Sequence, residues 1–225
     1  MEFVPIVLSG LGTLLSIGVN LSPLPSLLKA SKSKNLEEIS HLYLILSNLI
    51  PLIWSLYGLK SKIWLIYIPA QLTFFTSLAW IAWYHIISKN SIIFMFWYLL
   101  SIFSSSIIFL NCLTANNLGL AAVIISFGGI FAPLQQVPYA LLEMDHKYID
   151  INIMVSCLFC GAVWLLYGYF INNRFIIIPN SVGIIFCLLQ IGVYAWARGI
   201  LPCPCLTRIS KFLIAYYSYD KNIMI

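Results

Sequence analysis

Polar residues punctuate this chain sparingly, and between them run seven apolar stretches, near residues 3–28, 39–59, 63–87, 91–111, 117–142, 151–171 and 174–197. Each is long enough for an α-helix to cross about 30 Å of hydrocarbon. Strands that cross a bilayer are about ten residues long and alternate strictly, which these stretches do not. The pattern predicts an all-α membrane protein with seven transmembrane helices. Composition agrees, since 61% hydrophobic and 8% charged residues leave too little polar surface to cover a soluble globule. Met1 and Glu2 precede the first stretch without Lys or Arg, so the basic start of a cleavable signal is missing and the first span is expected to be retained.

The sparse charge sets an orientation. With the N-terminus outside or lumenal, cytosolic segments hold Lys29, Lys32, Lys34, Lys89, Lys147, Arg198, Arg208, Lys211 and Lys221, against Lys60, Lys62 and Arg174 opposite. Nine against three favours that placement, with the C-terminus cytosolic. The net +5 thus reports topology, and no basic stripe supports nucleic-acid binding. Six cysteines form no disulfide framework: Cys157, Cys160 and Cys187 fall within spans, and Cys112 alone lies near the outer face; Cys157 and Cys160 have the spacing of a redox pair but within a membrane helix are read as small packing residues. Cys203-Pro204-Cys205 is a weak acylation or metal signal. His41, His85 and His146 sit at cytosolic ends with no metal-binding spacing. No nucleophile with a base, carboxylate pair or metal cluster appears, so neither catalysis nor a cofactor is expected.

The chain also repeats itself. WSLYGLKSKIWLIYIPA, residues 54–70, aligns with WLLYGYFINNRFIIIPN, residues 164–180: Trp54/Trp164, Tyr57/Tyr167, Gly58/Gly168 and Pro69/Pro179 share an offset of 110. Ser16/Ser126, Gly18/Gly128, Pro23/Pro133 and Tyr84/Tyr194 keep the same register. Each repeat holds three spans. A second copy of like orientation needs one extra crossing, which the segment 91–111 supplies. The expected plan is 3+1+3 with parallel repeats: residues 1–89, a linker helix in 90–113, residues 114–198, and a cytosolic tail from 199 to 225. In the tail, Leu206, Ile209, Phe212, Leu213, Tyr216 and Tyr217 share one helical face, which suggests a surface helix, with a disordered tail as the alternative.

The duplicated WxxYG, the prolines of Ser22-Pro23-Leu24 and Ala132-Pro133-Leu134, the loop KSKNLEEIS at 32–40 and the Pro179-Asn180 pair together resemble the SWEET family of sugar transporters over residues 3–198. The resemblance implies facilitative movement of mono- or disaccharides by alternating access, in the plasma membrane before an internal one. Absence of ion coupling has separate support: all seven acidic residues lie in loops or tails, so no span offers a group to protonate.

Asn180 lies about 9 Å into its span, at a depth comparable with Trp164 on the preceding one. An indole face suits sugar C–H groups, and a carboxamide both donates to and accepts from hydroxyls. The resemblance places both in the sugar pocket; a structural bond between helices is the other reading of the amide. Ala70 stands where the first repeat should repeat the asparagine, and Gln71 beside it points about 100° away on a helix. Trp54, where the family often has a smaller residue, narrows the pocket toward a hexose. Pro23 and Pro133, near the cytosolic ends of their spans, are candidate hinges or else static kinks, whereas the matching positions on spans two and six hold Tyr43 and Ile153, with Pro51 further along span two. Tyr57 and Tyr167 are expected near the outer gate or simply at the interface. Gln135 and Gln136 either line the inner pathway or bond across helices. The competing classes are a carrier like the PQ-loop amino-acid exporters and a seven-span cargo receptor; the first lacks its Pro-Gln dipeptide here, and the second lacks lumenal charges within the spans. Self-association is left open.

Overall fold

The computed structural model describes residues 3–22, 24–33, 41–88 and 92–223; Pro23, Lys34, Glu37, Glu38 and Lys89 lie outside them. The described residues form helices joined by turns: α1 (Phe3–Asn20), α2 (Leu24–Ser33), α3 (His41–Lys60), α4 (Trp64–Ile87), α5 (Ile92–Cys112), α6 (Ala115–Phe131), α7 (Val137–Glu143), α8 (Ile151–Phe170), α9 (Arg174–Ala197) and α10 (Pro204–Ile223). Six helical stretches are long and apolar enough to cross a membrane, and the apolar part of α3, Leu44–Lys60, is shorter.

Two of the expected spans are not continuous. The first breaks at Leu21 and Ser22 into α1 and α2, and the fifth breaks at a 3-10 segment, Ala132–Gln136, into α6 and α7. In the 110 register these breaks coincide, next to Pro23 and at Pro133. A proline has no N–H for the α-helical ladder and its ring crowds the preceding turn, and a short 3-10 run is the usual way to absorb that defect.

The packing makes a closed ring. α4 packs between α1 and α3, α9 packs between α6 and α8, and the ring closes through α3 on α6 and α1 on α8. α5 stands outside the ring, touching α3 and α4 through Met95, Tyr98 and Ile102.

Both α3–α4 and α8–α9 connect through the same turn. Lys62 and Asn172 take positive φ of 58° and 51°, and the next amides, Ile63 and Asn173, donate back to Gly58 O and Gly168 O at 2.8 Å. Reaching back five residues with one left-handed residue is a helix-terminating device that satisfies an orphan carbonyl. Gly58 is required there because a Cβ would stand 2.7 Å from the Tyr67 backbone nitrogen.

The tail is helical. α10 presses Leu206, Leu213 and the Ser210 hydroxyl against α7, where Ser210 donates to Leu141 O at 2.7 Å. Ile209, Phe212 and Tyr216 form an exposed apolar stripe, while Arg208 and Lys211 are exposed on a further side of the helix.

Candidate functional site

The ring encloses a cavity of about 410 Å³ whose walls come from α1, α3, α4, α6 with its 3-10 extension, α8 and α9. Most lining residues fall into register pairs, among them Ser16/Ser126, Trp54/Trp164, Ile66/Ile176, Pro69/Pro179 and Ala70/Asn180. Among the described residues, none of those lining it is acidic, basic or histidine.

The two tryptophans are held by a reciprocal pair of bonds. Trp54 Nε1 donates to Ser126 Oγ at 3.0 Å, and Trp164 Nε1 donates to Ser16 Oγ at 2.9 Å. Each repeat thus fixes its indole on the serine of the other, at the two places where the repeats meet. Gly12 makes room for one ring, since a Cβ there would stand 2.9 Å from Trp164 Cε2. With both indole N–H groups occupied, the rings offer the cavity their apolar faces.

Asn180 lines the cavity half-buried, and its Nδ2 donates to Ile176 O at 2.7 Å. Its Oδ1 has no partner among the described residues and stands 3.9 Å from where a Cβ on Gly161 would be. Ala70, buried on α4, also lines the cavity, on the wall opposite α9. Gln71 does not: its Nε2 donates to Ser55 Oγ at 3.0 Å and clips α4 to α3, so the rotation of about 100° per residue decides its role.

Other expectations meet different outcomes. Pro133 lines the cavity, but Gln135 and Gln136 are exposed on the far side of the 3-10 segment. Tyr57 and Tyr167 are buried, 4% and 0% exposed, so they are not interfacial aromatics, and neither lines the cavity. They sit in one apolar cluster with Ile53, Leu118 and Ile176, which joins both repeats at the 61–63 and 171–173 turns. There Asn173 Nδ2 donates to Tyr57 OH at 2.7 Å, a bond between repeats.

At the opposite end the clusters separate. Leu27, Leu44, Trp80 and Ile81 gather in the first repeat, and Ala140, Leu141, Met154 and Val193 in the second. The cavity reaches Ile153 and Met154, within a turn of the start of α8. It is sealed at the turn end, and among the described residues no cluster shared by both repeats closes the other.

Cys157 and Cys160, read from sequence as packing residues, line the cavity together with Cys187, and Cys160 Sγ lies 3.4 Å from Ser16 Oγ. Ser16, Ser126, Asn20 and Gln190 also belong to the site. The serines were visible as a register pair; Asn20 and Gln190, matched by Ile130 and Trp80, left no such signal.

Comparison with known proteins fits this duplicated architecture. The family described as sugar efflux transporters for intercellular exchange matches this chain twice, over residues 6–92 and 116–198, leaving out most of α5. A bidirectional sugar transporter, SWEET13, of Oryza sativa subsp. japonica is 23% identical over 203 residues, 85% of this chain and 69% of that one. A similar transporter of Arabidopsis thaliana, SWEET17, is 21% identical over 85% of each chain. The sugar transporter SWEET1 of Mus musculus is 24% identical over 79 residues, so that 35% of this chain spans only 36% of its length. A solved eukaryotic SWEET transporter has the same fold, with a TM-score of 0.78 at 18% identity, covering 88% of this chain and 98% of that one. Two family matches over the two halves of the ring, and a shared fold, make this multi-pass membrane protein a member of the SWEET family of sugar transporters.

Proposed function

We propose that the protein is a uniporter for neutral monosaccharides, hexoses before disaccharides, that works by alternating access. The observation that carries this reading is the uncharged cavity between the repeats, walled by indole faces and a carboxamide. A neutral polyol needs donors, acceptors and flat apolar surface, all of which are present. An amino acid would bring an ammonium and a carboxylate into a space without countercharge, at a cost of several kcal/mol. Trp54 and Trp164 together narrow the site toward a single ring. Asn180 and Trp164 contact the solute, with Trp54 and Ala70 opposite.

The membrane plan that fits is 3+1+3, with like-oriented repeats, α5 as the linking span and the N-terminus outside. In that orientation the sealed end is extracellular or lumenal and the chain is drawn facing inward. Opening the outer end requires separating Tyr57 from Asn173, and closing the inner end bends the chain at Pro133 and beside Pro23. The plasma membrane is the favoured location.

Uptake of labelled glucose, fructose and sucrose into proteoliposomes, with and without a pH gradient, tests this reading. Equilibration of hexoses without accumulation, reduced at least tenfold by Asn180→Ala, is expected. Accumulation driven by the gradient would overturn uniport, and no sugar flux at all would overturn the substrate class.

A further inference from the structure

The cavity's polarity is uneven where Ala70 faces Asn180. On the second-repeat wall, α9 presents the carboxamides of Asn180 and Gln190, each with one N–H on its own helix, to Ile176 O at 2.7 Å and Phe186 O at 3.3 Å. A carbonyl oxygen and a second N–H remain on each amide. The opposite wall, on α3 and α4, has Ala70 in the place of Asn180, with Ile50 and Pro51 beside it. Its hydroxyls donate to carbonyls of their own helices and keep only acceptor lone pairs: Ser47 donates to Leu44 O at 2.8 Å, and Thr73 donates to Pro69 O and Ala70 O at 3.0 Å. Asn20, 9% exposed on α1, ties one N–H across to Thr73 O at 2.8 Å and, like the amides of α9, keeps its oxygen and a second N–H.

Resting on the sugar-carrier reading, we propose that this site selects a pyranose with one apolar edge, such as a deoxyhexose or an O-methylated hexose, over a fully hydroxylated hexose. In the occluded state the sugar loses water on all sides. Hydroxyls facing α9 find partners there. A hydroxyl directed at the side chains of Ala70, Ile50 and Pro51 finds no partner on them, and a buried polar group without a partner weakens binding by roughly tenfold. Removing that hydroxyl, or capping it with a methyl group, lifts the penalty and adds contact with Ile50 and Pro51. A site with a carboxamide on both walls would behave in the opposite way and reject every deoxy analogue.

The test is competition by glucose, its four monodeoxy analogues (2-, 3-, 4- and 6-deoxy) and 3-O-methylglucose against labelled glucose in proteoliposomes of the full-length protein. At least one analogue is expected to compete about tenfold more tightly than glucose, and Ala70→Asn to remove that advantage. Should glucose outcompete every analogue on the unaltered protein, the inference fails while the carrier reading stands. Should labelled glucose not move at all, the carrier reading fails instead. Because the first comparison needs no mutant, misfolding of Ala70→Asn leaves the test intact; Ala70→Ser, a smaller change, is expected to narrow the advantage, and no narrowing counts against the role of Ala70.

Discussion

The two tyrosines of the repeated motif should respond to the same substitution with opposite signs. Tyr57 and Tyr167 are equivalent in register and both buried, yet Tyr57 OH accepts a 2.7 Å bond from Asn173 whereas Tyr167 OH has no partner among the described residues. The cause is one position in the turns. Asn173 caps α9, its Oδ1 accepting from Phe175 N at 3.1 Å, and its Nδ2 reaches Tyr57; its counterpart Ile63 precedes α4 with neither bond available. Tyr57→Phe removes a made bond and should destabilise by about 1 kcal/mol. Tyr167→Phe removes a desolvated hydroxyl that makes no bond, and should stabilise by about 1–2 kcal/mol. The pair should therefore differ by about 2–3 kcal/mol on the same measure. Ile63→Asn adds a cap worth about 1 kcal/mol and a donor for Tyr167, against about 1 kcal/mol of lost apolar burial. It should stabilise the protein carrying Tyr167 and lose most of that gain on the Tyr167→Phe background. Unfolding of purified protein in detergent, by denaturant titration or scanning fluorimetry, reads all four variants. If both phenylalanine variants shift stability in the same direction by similar amounts, the hydroxyls are equivalent and the reasoning is wrong.

Other outcomes follow from the same geometry. Gly12→Ala should push the Trp164 indole off Ser16 and reduce transport at least tenfold, with an accompanying change in tryptophan fluorescence; normal emission and flux would show that the ring tolerates the methyl group. Ser16→Ala and Ser126→Ala should each cost about 1 kcal/mol of stability, because each leaves one indole N–H without its partner, and unfolding titrations showing no loss would refute the reciprocal clamp. Trp54→Ser should raise sucrose flux relative to hexose flux; an unchanged ratio would remove the narrowing role of that ring. A nitroxide at Phe212→Cys on α10 should be accessible to oxygen and shielded from a polar relaxant in liposomes, and one at Lys211→Cys the reverse; two aqueous signals would place the stripe away from lipid.

Much of the architecture was legible in one dimension because a bilayer leaves few options. A segment surrounded by lipid must satisfy its own backbone, so runs of apolar residues near 20 in length read directly as helices. The offset of 110 was equally legible, since a gene duplication leaves Trp, Tyr, Gly and Pro at matching places. It located Trp54, Trp164, Ala70 and Asn180, which the fold brings to one cavity.

What depended on the tertiary structure was how the two halves meet. Local pattern contains no information on which helix of one repeat touches which helix of the other, so the crossed bonds of Trp54 to Ser126 and Trp164 to Ser16 were invisible although all four residues were in view. The same ignorance hid that Cys157, Cys160 and Cys187 line the cavity, and put Gln71 and Gln135 near a pathway that neither lines. A helix carries a different direction every 100°, and only the packed ring decides which of those directions is interior. Hydrophobic length thus determined that the chain crosses a membrane, and the offset of 110 that it is built from two like units; the long-range closure of six helices decided which uncharged side chains face one another across the space between them.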